Sequence, residues 1–287
     1  MNPSQSKSES LPNNSFLSKF NRRREELRSV LCIGLDPEFE KLPEICQKSD
    51  TPLFEFCKTI VSSTYMYAAA WKPNIAFFER FGGKGLLEFE SYVRYAKEIS
   101  PDVPIIADAK RGDLANTAKE YAKYYFEFLG VDALTVSPYM GKDSLTPYLD
   151  LGGTIFVLGL TSNPSSVDFQ KQKLSHNNRY LYEEVALQME ALGRSYPGQV
   201  GLVVGGTHPD ELLKLRQLLP DLYFLIPGFG AQGGDLASIL SSSGKNSVVN
   251  SSRGITLSSN SSEFGSIAQE KAKMVHQAMN EEFMSLV

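Results

Sequence analysis

A chain of 287 residues with a formal charge of −4, from 29 Lys and Arg against 33 Asp and Glu, has room for one large domain or two small ones. Apolar residues at 42% and charged residues at 22% supply enough apolar mass for one sizeable core, which excludes collagen-like and wholly disordered classes. The mildly acidic balance argues against a general nucleic-acid binder, and no run approaches the ~18 apolar residues that mark a membrane span.

Residues 1–14 are polar, lack the hydrophobic segment of a secretory signal, and read as a disordered tail ahead of a domain over residues 15–287. Past them, short apolar runs alternate with stretches of helical period, the pattern of repeated βα units around a parallel sheet. A first helix is expected from about Ser15 to Arg28, with Arg22, Arg23 and Arg24, followed by Glu25 and Glu26, forming a solvated face. The predicted strands are Val30–Asp36, Trp71–Phe77, Pro104–Lys110, Ala133–Ser137, Thr154–Leu160, Gly201–Gly205, Tyr223–Pro227 and Ser247–Asn250. The predicted helices that follow them are Leu53–Ala69, Lys84–Ile99, Asp113–Leu129, Lys142–Leu151, Arg179–Arg194, Pro209–Leu218, Asp235–Leu240 and Ser262–Leu286. This count predicts an α/β fold, a single (β/α)8 TIM barrel; an open doubly wound sheet is expected to carry a G-x-G-x-x-G turn after its first strand, and GLDPEFEKLPE stands there instead. The polar stretch Asn163–Asn178 and the segment Ser241–Asn246 read as loops.

Three cysteines, Cys32, Cys46 and Cys57, without a C-x-x-C pair suggest neither a disulfide framework nor a zinc knuckle and fit a reducing cytoplasm. His176, His208 and His276 are scattered, so no protein-ligated metal is expected.

Function in such a barrel sits at the C-terminal ends of the strands. The third strand ends IIADAKRGD, with Asp108 and Lys110 two apart and pointing to one side, and Asp113 after the Arg111–Gly112 turn. Charges there are costly unless paired, so Asp108 and Lys110 are expected to hold one another; a purely structural ion pair and an Asp113 helix cap are the plain alternatives. Lys72, between Trp71 and Pro73, has three readings: a snorkelling lysine, a Schiff-base lysine of depressed pKa, or a charged partner of Asp108. IPGFGAQGGD puts glycines 228, 230, 233 and 234 after strand seven, and VVNSSRGI puts Arg253 after strand eight, a combination that points to phosphate. Thr161, Ser162 and Asn163 after strand five suit an uncharged amide-bearing ring or form a turn cluster. Asp36, closing strand one, accepts from sugar hydroxyls or caps a turn.

The set GLDP, WKPNIAFFE, DAKRGD with Thr117 one turn on, LTSN, IPGFGAQGGD and NSSRGI resembles orotidine 5′-phosphate decarboxylases, specifically the longer-chain bacterial group (type 2), over about residues 30 to 255. The resemblance implies a cytoplasmic, cofactor-free enzyme of pyrimidine nucleotide biosynthesis that converts orotidine 5′-phosphate to uridine 5′-phosphate and CO2. It implies Lys110 as the proton donor to C6 of the pyrimidine and Asp108 as the carboxylate set against the departing carboxylate, with Lys72 and Asp113 completing an alternating array. Asp36 and Lys72 are then expected at the ribose hydroxyls, Ser162 at the pyrimidine amide edge, and Gln232, Ser252 and Arg253 at the phosphate. The resemblance implies Thr161 and Pro227 as further substrate-contacting residues. Asp113 and Thr117 are expected to reach the neighbouring subunit's site in a homodimer with shared active sites. Three other readings remain: a Mg2+-dependent phosphosugar lyase using D-x-K-x-x-D and Glu79, a Schiff-base aldolase using Lys72, and an inactive nucleotide-phosphate sensor.

Overall fold

The computed structural model describes residues 15–229 and 235–285. The predicted tail at 1–14, Gln232 and three of the four glycines after strand seven lie outside them. Eight strands follow in chain order: β1 Leu31–Leu35, β2 Ala70–Pro73, β3 Ile106–Arg111, β4 Ala133–Val136, β5 Thr154–Leu160, β6 Val200–Val204, β7 Tyr223–Ile226 and β8 Ser247–Ser251. They pair in parallel in the order β2-β1-β8-β7-β6-β5-β4-β3. Isolated parallel bridges, Trp71 to Ile105 and Asn74 to Asp108, join β2 to β3 and close the sheet on itself. This is the expected barrel. Helices cover the outer face of the sheet and closure buries its inner face, so strands such as β1, β4 and β6 are buried at every position. Continuous β-branched and aliphatic runs are what that environment selects.

The first helix, Phe16–Leu27, lies across the N-terminal ends of the strands. Phe16 meets Phe156 edge-on at 5.3 Å, Phe20 meets Tyr223 at 6.2 Å, and Lys19 pairs with Asp132 at 2.7 Å. Its charge run is only in part the solvated face expected: Arg22, Glu25 and Glu26 are exposed, but the other two arginines are not. Arg24 is buried, reaching the Lys245 carbonyl, and Arg23 reaches that of Ala68, because strand-end carbonyls need donors there. The residues singled out by the motifs stand at the opposite rim.

Several predicted boundaries shift for local reasons. The second strand stops at Pro73 rather than Phe77, and a short helix, Ala76–Glu79, begins because the Asn74 side chain accepts from the Ala76 N–H at 3.2 Å. The predicted helix Asp113–Leu129 splits into Ala115–Ala122 and a π-helical turn, Lys123–Phe128. The helix Pro52–Thr64 gives way to a 3-10 turn, Tyr65–Tyr67, where the Thr64 hydroxyl bonds back to the Ile60 carbonyl at 2.7 Å. Ser241–Ser243 prolong the helix Leu236–Ser243, which Gly244 ends at φ 66°, so the expected loop is shorter than predicted. The polar stretch after β5 is partly ordered, by a 3-10 turn, Pro164–Asp168, and an antiparallel bridge from Lys173 to Tyr180.

Candidate active site

The C-terminal rim holds a cleft of about 170 Å³ whose lining includes Asp36, Lys72, Asp108, Pro227, Ser252 and Arg253. Residues from β1, β2, β3, β7 and β8 thus converge on one space, as the motif positions require. A larger hollow of about 400 Å³ lies to one side, beside Arg111, Thr117, Glu120 and Tyr121. The smaller cleft is the candidate site, because the buried charges face it.

At the β2–β3 end the charges are fully engaged. Asp108 Oδ2 accepts from Lys72 Nζ at 2.6 Å, and Oδ1 accepts from Lys110 Nζ at 2.6 Å and from the Thr135 hydroxyl at 3.0 Å. Lys72 and Asp108 are 4% and 8% exposed, whereas half of the Lys110 side chain is exposed. Burial pushes Asp108 up, but the two ammonium groups outweigh it and hold the carboxyl below the ordinary range. Burial likewise pushes Lys72 down, and Asp108 with Asp36 reverses this, leaving its pKa raised. A Schiff-base lysine requires the opposite direction, so Lys72 is the charged partner of Asp108.

Asp108 and Lys110 share a side, but simple strand alternation does not put them there. Ala107 pairs with Leu134 and Arg111 with Val136, so β3 bulges over Asp108, Ala109 and Lys110 against one residue of β4. Lys110 takes a left-handed backbone, φ 46°, which costs a non-glycine residue on the order of 1–2 kcal/mol. Arg111 leaves the bulge outward. It pairs with Glu79 and lies over the rings of Tyr121 and Tyr125 at 5.3 and 5.8 Å, so Glu79 is occupied.

At the β1–β8 end, Ser252 Oγ donates to Asp36 Oδ2 at 2.5 Å, while Asp36 Oδ1 is buried without a partner among the described residues. A Cβ on Gly34 would stand 2.7 Å from Ser252 Cβ and 2.9 Å from Asn250 Oδ1, so glycine is required for the strands to approach so closely. Arg253 is exposed and has no ion-pair partner among the described residues. Its fork is available to a ligand.

Among the described residues, Thr161, Ser162, Asp113 and Thr117 do not line this cleft. Thr161 is tied to Gln170, whose Oε1 accepts from the Thr161 N–H at 2.7 Å and whose Nε2 donates to the hydroxyl at 2.8 Å. Ser162 follows at the β5 end, packed against Gly205, where a Cβ would come within 2.9 Å of its backbone nitrogen. Asp113 does not cap the helix Ala115–Ala122 by side chain; its Oδ1 accepts from the Leu114 N–H at 2.7 Å. Asp113 and Thr117 lie away from this chain's own cleft, Thr117 on the larger hollow. Asn74 and Asn250 also line the cleft, and Thr135 supports it, although no role was expected for any of the three. A threonine inside ALTV reads as an ordinary strand former, and only the bulge opposite exposes its use.

A family model described as orotidine 5′-phosphate decarboxylase / HUMPS family matches residues 29–265. The chain is 51% identical over 272 residues to an orotidine 5′-phosphate decarboxylase from Leptospira interrogans, covering 94% of this chain and 98% of that protein. It is 41% identical over 265 residues to one from Bacteroides fragilis, covering 91% and 95%. The solved Leishmania donovani OMP decarboxylase superposes with a TM-score of 0.81 at 37% identity, covering 94% of this chain and 99% of that one. The UMP synthase of the same organism superposes with a TM-score of 0.83 at 38% identity, and this chain spans 57% of its length. A barrel that superposes on a solved OMP decarboxylase and matches over nearly the whole length give one answer: the chain belongs to the orotidine 5′-phosphate decarboxylase / HUMPS family.

Proposed function

We propose that this protein decarboxylates orotidine 5′-phosphate to uridine 5′-phosphate and CO2, the last step of de novo UMP biosynthesis, in the cytoplasm, with residues 15–287 as its catalytic domain. The observation that carries this reading is the Lys72–Asp108–Lys110 array at the barrel rim, in a chain 51% identical to a protein named for that activity. The C6–carboxylate bond breaks, CO2 departs, and the electron pair remains on C6 of the ring. Lys110 holds a cation where that charge develops and then delivers its proton to C6, solvent restoring it. Asp108 stands against the substrate carboxylate and is relieved as CO2 leaves. Asp36, with an open buried oxygen, and Lys72 take the ribose hydroxyls; Ser162 and Thr161 face the pyrimidine, and Pro227, Gln232, Ser252 and Arg253 surround the phosphate.

A homodimer with shared sites completes the reading. Asp113 and Thr117 do not line this chain's own cleft, and Leu114 at 64%, Tyr139 at 88% and Met140 at 41% are exposed, apolar area that a second copy would cover. Mixing a Lys110→Ala chain with an Asp113→Ala chain is then expected to restore about a quarter of wild-type activity, since half the dimers regain one intact site. Recovery at the level of the unmixed variants rules out sharing. The reaction itself is tested by following the ultraviolet absorbance of orotidine 5′-phosphate with purified, EDTA-treated protein. Turnover supports the reading, and an unchanged spectrum overturns it.

A further inference from the structure

Where β3 passes from Ala107 to Arg111, β4 advances only from Leu134 to Val136, so Asp108, Ala109 and Lys110 stand opposite the single residue Thr135. A bulge of this kind deprives backbone N–H groups of their ladder acceptors. Here one side chain replaces them. Thr135 Oγ1 accepts from the N–H groups of Ala109 at 3.0 Å and Lys110 at 2.9 Å, and donates to Asp108 Oδ1 at 3.0 Å. A hydroxyl has one proton and two lone pairs, so its capacity is filled. The residue is 1% exposed, and water does not compete for these bonds.

The same hydroxyl therefore touches both partners of the reacting pair. Through the two N–H groups it fixes the left-handed backbone from which Lys110 projects, and through the carboxylate it fixes the oxygen that Lys110 Nζ contacts at 2.6 Å. We propose that Thr135 is a positioning residue of the active site, which sets the aim of Lys110 and Asp108 by occupying the β3 bulge; the proposal rests on the decarboxylase reading above. A threonine that only filled space in the strand would be replaceable by valine, which has the same shape and the same preference for strands. What valine lacks is the three bonds, all of which end on the Asp108–Lys110 segment.

The experiment compares Thr135→Val and Thr135→Ser with the wild type in kcat, KM and the affinity for uridine 5′-phosphate. Misplacement of about 1 Å at a reacting group costs on the order of 100-fold in rate, so Thr135→Val is expected to lower kcat about 30- to 100-fold. KM and product affinity are expected within about threefold, because no substrate contact is removed. Thr135→Ser keeps the hydroxyl and is expected to recover kcat to within about fivefold of the wild type. The proposal is overturned by a Thr135→Val kcat within threefold of wild type, by a loss shared equally with product affinity, or by a folded serine variant as slow as the valine one. If Thr135→Val does not fold, Thr135→Ala takes its place under the same criteria; if neither folds, the residue holds the barrel rather than the reacting pair, and the proposal fails. A wild type without turnover fails the decarboxylase reading instead, a result separate from all of these.

Discussion

The two ends of the cleft are built on opposite plans. At the β2–β3 end, both Asp108 oxygens are taken, one by the buried Lys72 and the other by the half-exposed Lys110, and a threonine hydroxyl holds the intervening backbone. At the β8 end, Arg253 is exposed without an ion-pair partner among the described residues, and Asp36 keeps a buried oxygen open. The first end is organised before a ligand arrives, so its charges need not rearrange as the reaction proceeds. The second is held open for a ligand. On the proposed reading, binding energy gained there, remote from the reacting carbon, would hold the ring against a carboxylate it would otherwise avoid. The difference separates chemistry from anchoring, and variants at the two ends are expected to fail in different ways.

The largest expected effect is at the organised end. Lys110→Ala should lower kcat by at least about 10⁴-fold, since it removes both the cation and the proton donor, while uridine 5′-phosphate still binds through the other rim. Stopped-flow turnover paired with product titration checks this, and a variant within tenfold of wild-type kcat breaks the role assigned to Lys110. Removal of the carboxylate tests the fold instead. Asp108→Ala strands the buried Lys72 and is expected to cost about 3–5 kcal/mol in denaturant unfolding, the magnitude of a broken buried pair. At the open end the pattern reverses. Arg253→Ala is expected to lower kcat/KM by about 10²- to 10³-fold through lost phosphate binding, yet to change unfolding free energy by no more than about 0.5 kcal/mol, as for an exposed side chain. An Arg253→Ala enzyme within threefold of wild-type kcat/KM would remove the anchoring half of the comparison.

How much of this was legible in the sequence depended on whether a feature is periodic. The eight strands were readable because strands covered on both faces are continuous apolar runs, and residues at strand ends such as Asp36, Asp108 and Arg253 could be placed at the rim by the fold alone. The geometry inside the rim was not. Alternation gave the right side for Lys110 for an incomplete reason, since its placement comes from a bulge and a left-handed backbone that no spacing announces. Thr135 was invisible for the same cause. Arg24 went wrong in the other direction: a charge run usually faces solvent, but here the carbonyls at the strand starts draw the guanidinium inward.

The smallest effect is a pH signature that only the organised end should carry. Asp108 has a folded pKa below its unfolded value, so its stabilisation is complete above about pH 4, the unfolded aspartate value, and is lost as pH falls through the folded one. Lys72 has a folded pKa above its unfolded value, so its stabilisation is complete below about pH 10.4 and is lost as pH rises through the folded value. The pair therefore gives a flat plateau with a wall at either side. In Asp108→Asn the acid wall from this group disappears, so the gap in urea midpoint between that variant and the wild type should narrow from pH 7 to pH 3. For Arg253→Ala the gap should stay constant, because that side chain is exposed and pairs with no carboxylate among the described residues. A gap that stays constant for Asp108→Asn as well would mean that the buried carboxylate is not held by its two lysines, and the contrast between the two ends of the cleft would fail at its root.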